Sequence, residues 1–298
     1  MKILYLVADD AFFWSHRLGM ARAAQEEGYA IHVAAPENGY RRRIEAEGFR
    51  FWPVRLRKSL NPVTGMLGWL DVFRVYRAVR PDIVHHVSMR PILWGGTASR
   101  LARGPVTVNL VTGLGDVFIS GPRWLRWAVE RGYRFTLGRP GATTVFQNPD
   151  DQRLFLERRM ARPERCVLIP GDGVDMELFA PRPEPAGPPA ILLASRMLWD
   201  KGVGELVEAA RILRRRGVPH RLVLAGVPDQ GNPAAVPEKA LRGWQEEGIA
   251  EWPGHLADIP AALGACAIAC LPSYREGVPR ALIEAASCAR PIVTTDVP

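Results

Sequence analysis

Short apolar runs alternate with amphipathic helical patterns along almost the whole chain, and this alternation restricts the fold more than any other feature. Residues 3–7 and 29–34 are predicted strands on either side of a predicted helix at residues 16–27, and the β-α-β unit recurs downstream. Buried parallel strands typically appear as such short continuous apolar runs. The sequence therefore predicts an α/β fold built on doubly wound, Rossmann-like parallel sheets. The other predicted strands are residues 51–54, 83–86, 106–110, 144–147, 167–169, 191–194, 221–225, 249–252, 267–271 and 292–295.

A proline-rich stretch divides this pattern into two series. Residues 180–189 include five prolines, which lack the amide donor that a helix interior or a central strand needs. We therefore predict a first domain over residues 1–179, a linker over residues 180–190 and a second domain over residues 191–298. The second domain is small for its type and stops just after a strand, so we expect it to be truncated.

The composition excludes several classes of protein. With 47% hydrophobic and 23% charged residues, the chain is typical of a globular protein. Four cysteines without metal-ligand spacing predict reduced thiols and no metal site. The N-terminus becomes acidic too early for a signal peptide, and no apolar run approaches the roughly 20 residues of a membrane span. These features predict a soluble protein in the cytoplasm.

Positive charge is concentrated in the first part of the chain. Residues 1–180 contain 26 Lys and Arg against 18 Asp and Glu, whereas residues 181–298 contain 13 of each. The asymmetry predicts an anionic partner for the first domain: a phosphate-bearing substrate, a membrane surface or nucleic acid.

The nucleotide motifs of better-known Rossmann proteins are missing. No GxGxxG follows the first predicted strand, and no GxxxxGK[ST] occurs, so an NAD-dependent enzyme and a P-loop NTPase are disfavoured. Instead, Arg196 and Lys201 follow the strand at residues 191–194. Ligands of open parallel sheets bind beyond the carboxyl ends of the strands, so the two cations could bind a diphosphate. Solvated loop cations are the alternative.

A second cluster follows the strand at residues 267–271. Pro279 suits the first turn of a predicted helix at residues 279–289, and the amides of Gly277 and Val278 would then form an anion site at its N-terminus. Glu276 precedes this helix, and Glu284 lies within an apolar run, where an unpaired buried carboxylate would be costly. We therefore favour a binding role for both carboxylates. The alternatives are a helix-start acid for Glu276 and a surface carboxylate for Glu284.

Arg196, Lys201, Glu276 and Glu284, in this order, resemble the signature of glycosyltransferase family 4, which has the GT-B fold. The segments that support the resemblance begin at Phe12, Gly113, Phe146, Gly171 and Leu271, the first being Phe-Phe-Trp-Ser-His-Arg and the last Leu-Pro-Ser-Tyr-Arg-Glu-Gly. They are similar to the branch that extends undecaprenyl-diphosphate-linked sugars in surface polysaccharide synthesis. The resemblance covers essentially the whole chain.

The resemblance implies a role for each matching position. Arg196 and Lys201 would hold the donor diphosphate, Glu284 the ribose hydroxyls and Glu276 the donor sugar, with the amides of Gly277 and Val278 on the sugar or β-phosphate. Members of the family retain the anomeric configuration and need no metal or other cofactor, and this chain has no DxD triplet.

The chain departs from the family at one catalytic position. Many relatives have a histidine at the end of the strand at residues 106–110, where this chain has Thr112 or Gly113. His16, predicted at the N-terminus of the first helix, is the nearest replacement; a helix cap is the alternative role. Arg17, in the same motif, is a candidate contact for the acceptor or the membrane.

Residues 121–139 interleave basic and aromatic side chains. A cationic helix with tryptophans suits the headgroup layer of an anionic membrane, whereas nucleic acid lacks any supporting motif. A buried helix with a basic edge is the alternative. The candidate contacts are Arg123, Trp124, Arg126, Trp127, Arg131 and Arg134.

Together these features predict a retaining glycosyltransferase, peripheral on the inner face of the cell membrane. It would move a sugar, an N-acetylated hexosamine, from a UDP-sugar to a polyprenyl-diphosphate-linked acceptor. A sugar-nucleotide epimerase on the same fold and a non-catalytic binder of nucleotide sugars are the alternative functions.

Overall fold

The computed structural model describes residues 1–56, 62–102, 105–113, 116–119, 122–229, 232–276 and 278–297. The chain folds as two compact units, Met1–Asp172 and Gly173–Pro298. Each unit is built on its own parallel sheet, with helices between successive strands. The α/β class predicted from the alternating pattern is confirmed.

The first unit contains a seven-stranded sheet in the order β3-β2-β1-β4-β5-β6-β7. Its central strands are buried on both faces, which explains why they appear in the sequence as continuous apolar runs. The strands are β1 (Lys2–Val7), β2 (Ala30–Ala35), β3 (Arg50–Pro53), β4 (Ile83–Val87), β5 (Val106–Val111), β6 (Ala142–Phe146) and β7 (Cys166–Leu168).

Eight α-helices accompany this sheet among the residues that the structure describes, together with a short 3-10 helix, Pro163–Arg165. The α-helices are α1 (Asp10–His16), α2 (Leu18–Glu26), α3 (Arg41–Ala46), α4 (Pro62–Val79), α5 (Met89–Leu101), α6 (Asp116–Ile119), α7 (Arg123–Leu137) and α8 (Pro149–Glu157).

The first helix differs from the prediction. A single helix at residues 16–27 was expected, but α1 begins at Asp10 and α2 begins after a break at Arg17. The reason is a cap: the side chain of Asp9 accepts a hydrogen bond from the Ala11 amide at 2.8 Å, so the helix starts in the segment predicted to be a turn. His16 is therefore the last residue of α1, and its predicted position at a helix N-terminus is wrong.

The second unit contains a five-stranded sheet in the order β10-β9-β8-β11-β12. Its strands are β8 (Ala190–Ala194), β9 (Arg221–Ala225), β10 (Glu251–Gly254), β11 (Ile268–Leu271) and β12 (Ile292–Thr294). Its α-helices are α9 (Val203–Arg215), α10 (Glu238–Glu246), α11 (Ile259–Gly264) and α12 (Arg280–Ser287), and a short 3-10 helix, Trp199–Lys201, precedes α9.

The boundary between the units lies before the proline-rich stretch. The first domain was predicted to end at residue 179, but Phe179 packs in the core of the second unit. Residues 180–189 contain no helix or strand. They are fixed to the second unit by Arg290, whose guanidinium donates to the carbonyl oxygens of Arg182 and Pro183, each at 2.9 Å.

Candidate active site

The middle of the second sheet contains a topological switch point between β8 and β11. The chain runs outward from β8 to β9 and β10 on one side, and from β11 to β12 on the other. Loops at such a point diverge from the carboxyl edge of the sheet and leave a crevice that ligands commonly occupy. The loops that follow β8 and β11 carry most of the residues predicted to bind the donor.

Gly202 allows these two loops to touch. Its φ of 72° is left-handed, and a Cβ added there would lie 2.1 Å from the carbonyl oxygen of Pro272. Tyr274, in the loop after β11, donates its amide to the carbonyl oxygen of Asp200 at 3.0 Å. A side chain at position 202 would force the loops apart, so glycine is required here.

Lys201 and Glu276 meet across this contact. Lys201 Nζ donates to Glu276 Oε1, and the hydroxyl of Ser273 donates to the same oxygen at 2.6 Å. Both charged side chains are largely buried, with 20% and 15% of their surfaces exposed. The pairing fixes a cation and a carboxylate side by side at the carboxyl edge of the sheet.

Glu284 has a partner on its own helix. Arg280 Nε donates to Glu284 Oε1 at 2.7 Å. The two residues are four positions apart, so their side chains are neighbours one helical turn apart. Burial raises the pKa of the Glu284 carboxyl, and the charge of Arg280 opposes this rise. Arg280 is thus a partner that the sequence analysis did not identify, and the binding role of Glu284 stays a prediction.

The start of α12 also differs from the prediction. Pro279 is the N-cap rather than the first helical residue, so the amides of the first turn belong to Arg280, Ala281 and Leu282. Val278 lies outside the helix, which removes the reason for its predicted place among the helical amides. Gly277, the other predicted amide, lies outside the described residues.

Arg196 bonds to a residue that the sequence did not single out. Its Nη1 donates to Asp229 Oδ2 at 2.6 Å, in the loop that follows β9. No spacing or motif in the sequence links these two residues. Only the adjacency of β8 and β9 in the sheet predicts that their loops are neighbours.

In the first unit, Arg17 is buried in a polar cluster. Its Nη2 donates to Asp172 Oδ1 at 2.8 Å, and Gln147 Nε2 donates to the same oxygen at 2.6 Å. Only 3% of the Arg17 side chain is exposed, so its predicted contact with a membrane is wrong, while an acceptor contact stays a prediction. Burial, together with the charge of Arg17, lowers the pKa of His85 nearby to about 3.

His16 lies beside this cluster in sequence but is only partly buried. Its ring stacks on Phe12, with ring centroids 4.1 Å apart, and its Nδ1 is 2.7 Å from the Ser15 hydroxyl. A catalytic role for His16 stays a prediction. The described residues form no cluster of three or more His, Cys, Asp or Glu side chains that could hold a metal ion.

Helix α7 is buried on one face only. Val129, Tyr133 and Leu137 pack into the core, whereas Trp124 and Trp127 are 67% and 59% exposed. Arg123, Arg131 and Arg134 are also exposed, and Arg126 is half-buried. The guanidinium of Arg131 lies 4.9 Å from the centroid of Trp127, a cation–π contact on the exposed face.

Two family models match the chain, one on each unit. The model described as glycosyl transferase 4-like matches residues 2–147, and the model described as glycosyl transferases group 1 matches residues 188–298. The two matches together span most of the sequence. The chain is a member of the glycosyltransferases that these two models describe. The predicted enzyme class is thereby confirmed, and neither family description names an epimerase or a binding protein.

Curated relatives resemble the glycosyltransferase over most of its length. It is 25% identical to the N,N'-diacetylbacillosaminyl-diphospho-undecaprenol alpha-1,3-N-acetylgalactosaminyltransferase of Campylobacter jejuni, over 99% of this chain and 81% of the relative. It is 23% identical to the UDP-Gal:alpha-D-GlcNAc-diphosphoundecaprenol alpha-1,3-galactosyltransferase of Escherichia coli, over 91% of this chain and 72% of the relative.

Solved structures confirm the predicted GT-B fold. HepE from Anabaena, in complex with UDP-glucose, matches with a TM-score of 0.75 at 18% identity, over 100% of this chain and 81% of HepE. Across the helices described for the glycosyltransferase, none is both long and apolar enough to cross a bilayer.

Proposed function

We propose that the glycosyltransferase moves an N-acetylated hexosamine from a UDP-sugar to a polyprenyl-diphosphate-linked acceptor, with retention of anomeric configuration. The observation that carries the proposal is the pairing of Lys201 with Glu276 at the switch point of the second sheet. The names of the relatives support the substrate classes, since both relatives act on sugars linked to undecaprenol by a diphosphate. UDP-glucose in the HepE complex supports the donor class.

The donor diphosphate would lie at the carboxyl edge of the second sheet. Lys201 supplies a compact charge, and Arg196 supplies a planar guanidinium that can bind two phosphate oxygens at once. Glu276 would accept hydrogen bonds from hydroxyls of the donor sugar, and Glu284 from those of the ribose. The amides at the start of α12 would add partial positive charge near the phosphates.

The reaction would break the bond between the sugar C1 and the β-phosphate oxygen. Positive charge around the diphosphate stabilises the electron pair that this oxygen keeps. The acceptor hydroxyl then forms the new C1–O bond on the same face, and its proton passes to the departing phosphate oxygen. The products are UDP and an acceptor one sugar longer.

The acceptor carries a polyprenyl chain, so the enzyme would act at a membrane surface, at the inner face of the cell membrane. The exposed face of α7 suits this contact, because Trp124 and Trp127 can enter the headgroup layer beside Arg123 and Arg131. Arg17, which is buried in the same unit, would contact the acceptor.

Isothermal titration calorimetry with UDP tests the donor site. We expect Arg196→Ala and Lys201→Ala each to weaken UDP binding by about 1.5–3 kcal/mol, as the loss of a charge-assisted hydrogen bond would. Arg221→Ala is the matched control, because Arg221 forms an exposed ion pair with Glu251 where β9 and β10 begin, at the opposite edge of the sheet. Unchanged UDP affinity in both site variants would show that the assignment is wrong.

Product analysis separates the proposed transfer from its alternatives. A panel of UDP-sugars is incubated with a polyprenyl-diphosphate-linked sugar, and the products are identified by mass spectrometry and by the configuration at C1. We expect an elongated lipid only when donor and acceptor are both present. A changed sugar nucleotide without acceptor would indicate an epimerase, and UDP binding without turnover would indicate a binding protein.

A further inference from the structure

The segment after β8 and the loop after β9 are joined by backbone hydrogen bonds. The amide of Met197 donates to the carbonyl oxygen of Val227 at 3.0 Å, and the amide of Val236 donates to the carbonyl oxygen of Met197 at 2.9 Å. A Cβ added at Gly226 would lie 1.8 Å from the carbonyl oxygen of Ser195, so the backbones approach as closely as glycine permits. The loop after β9 is therefore held firmly against the segment that carries Arg196.

Asp229 lies in this loop, and its carboxylate contacts the guanidinium of Arg196. The bond of 2.6 Å uses one terminal nitrogen, Nη1. The Asp229 carboxylate is itself held: Asn232 Nδ2 lies 3.4 Å from the same oxygen, and the Asn232 amide donates to the Asp229 carbonyl oxygen at 3.0 Å. Arg196 is 60% exposed and Asp229 only 26%, so the fixed partner is the carboxylate.

A long, exposed arginine otherwise samples many rotamers, and holding it in one of them costs side-chain entropy when a ligand binds. A carboxylate that already fixes one end of the guanidinium removes part of this cost before the ligand arrives. The geometry suits this role because Asp229 bonds to only one terminal nitrogen of the Arg196 guanidinium. The other N–H groups of this planar group can still donate to a diphosphate.

We propose that Asp229 is a positioning residue that orients Arg196 for the donor diphosphate. The inference rests on the proposed function, in which Arg196 binds that diphosphate. Asp229 acts through Arg196 and contacts no part of the donor. In the opposite role, the Asp229 carboxylate would compete with the diphosphate for Arg196. Its removal would then strengthen UDP binding instead of weakening it, so the test separates the two roles.

A double-mutant cycle on the full chain tests the proposal, with the UDP dissociation constant measured by calorimetry. We expect Asp229→Ala to weaken UDP binding about three- to tenfold, as the cost of ordering one long side chain would. In an Arg196→Ala background the same change has no further effect, because Arg196 is the residue through which it acts. Asp229→Asn retains an oxygen acceptor and stays within about threefold of wild type.

Two controls separate positioning from general effects. Glu251→Ala removes another carboxylate from an exposed arginine, Arg221, and should leave UDP affinity unchanged. Thermal unfolding monitored by circular dichroism establishes that each variant is folded. If Asp229→Ala unfolds, Asp229→Ser, which also removes the carboxylate, takes its place in the cycle with the same expected loss.

Additive losses in the double variant would overturn the proposal, because they would mean that Asp229 acts independently of Arg196. Tighter UDP binding by Asp229→Ala would also overturn it and would make Asp229 a competitor. An equal loss in Glu251→Ala would also overturn it, because the effect would then not be specific to the partner of Arg196. If Arg196→Ala alone binds UDP as tightly as wild type, Arg196 does not bind the diphosphate and this inference fails. The proposed donor site, in contrast, fails only if Lys201→Ala also binds UDP as tightly as wild type.

Discussion

The two carboxylates of the donor site have different surroundings. Glu276 accepts hydrogen bonds from Lys201 and Ser273, both in loops at the carboxyl edge of the second sheet. Glu284 accepts a hydrogen bond from Arg280 within α12, and burial raises the pKa of its carboxyl. Glu276 is thus part of the contact between the two loops, whereas Glu284 belongs to the helix behind them.

This difference predicts different phenotypes. We expect Glu276→Ala to lower kcat about 100-fold, in the range of other lost transition-state contacts, with UDP affinity unchanged or slightly higher because Lys201 loses a competing anion. Glu284→Ala should instead weaken UDP binding by about 1–3 kcal/mol, through lost hydrogen bonds to the ribose. Steady-state kinetics and UDP calorimetry measure the two effects, with Arg221→Ala as the control. Reversed phenotypes would contradict the assignment of roles.

How far the sequence predicts such residues depends on what positions them. Lys201 and Glu276 could be placed together because both follow buried strands, and strand ends share an edge. The Arg280–Glu284 pair was not predicted, although its spacing of four residues, about one helical turn, is a signal from which it could have been found. Asp229 also follows a strand, but no motif singles it out, and its contact with Arg196 depends on the adjacency of β8 and β9.

At the scale of the element, α5 packs unusually close to its neighbours. A Cβ at Gly95 would lie 2.3 Å from His86 Nε2. His86 is held on both sides: its Nδ1 is 2.7 Å from Asn109 Oδ1, and its Nε2 is 2.5 Å from the Tyr76 hydroxyl. The amide oxygen of Asn109 only accepts, so Nδ1 carries the proton and Tyr76 donates to Nε2. Burial lowers the pKa of His86 to about 4, which keeps the ring neutral at pH 7.

Gly95→Ala should therefore destabilise the protein by about 1–3 kcal/mol, because the new methyl group displaces a ring that has two hydrogen bonds to lose. Gly19→Ala is the matched control, since Gly19 is exposed in α2 and an added Cβ meets nothing within 4 Å. That change should cost no stability and could add up to about 1 kcal/mol, because alanine is the better helix former. Urea unfolding measures both. Equal effects would show that the close packing of α5 is unimportant.

Elements differ in how well the sequence defines them. Among the described residues, the strands coincide with the predicted strands to within about two residues. Central strands such as β1 are buried and appear as apolar runs, whereas the edge strand β12 is exposed. Helix starts were less predictable. The start of α1 depends on the hydrogen bond between the Asp9 side chain and a backbone amide, and hydrophobic periodicity contains no information on such a cap. The start of α12 differs from the prediction by one residue, with Pro279 as an N-cap that makes no side-chain hydrogen bond.

For the molecule as a whole, charge separates the two units. The first unit, Met1–Asp172, contains 26 basic and 16 acidic residues, and the second contains 13 basic and 15 acidic residues. The net charges are thus +10 and −2, which together give the +8 of the chain. The exposed face of α7 adds aromatic side chains to the positive unit. The proposed membrane contact therefore belongs to one unit and donor binding to the other.

Co-sedimentation with anionic vesicles tests this division. We expect Trp124→Ser combined with Trp127→Ser, and separately Arg123→Gln combined with Arg131→Gln, to reduce vesicle binding, since each basic residue near the surface contributes about 1 kcal/mol. Binding of wild type should fade between 0.1 M and 1 M salt, as the Debye length shortens from about 10 Å to about 3 Å. UDP affinity should be unchanged in both variants.

The charge-matched control is Arg215→Gln combined with Arg216→Gln, two exposed arginines of the second unit. This control should bind anionic vesicles as wild type does. Vesicles of neutral lipid should recruit every variant weakly at any salt concentration. Wild-type binding by both α7 variants would instead assign the positive charge of the first unit to the acceptor diphosphate alone.

The ion pairs at the second sheet bear on selectivity against small anions. Lys201 and Arg280 each hold a carboxylate, so these two pairs are close to neutral and attract free orthophosphate or sulfate poorly. A bare anion that displaces a carboxylate takes away the charged donor of that carboxylate. A nucleotide sugar brings hydroxyl groups to the carboxylates as well as phosphates to the cations, and both partners of a pair are satisfied again. Such a site rejects abundant ions by requiring two kinds of chemical group in a single molecule.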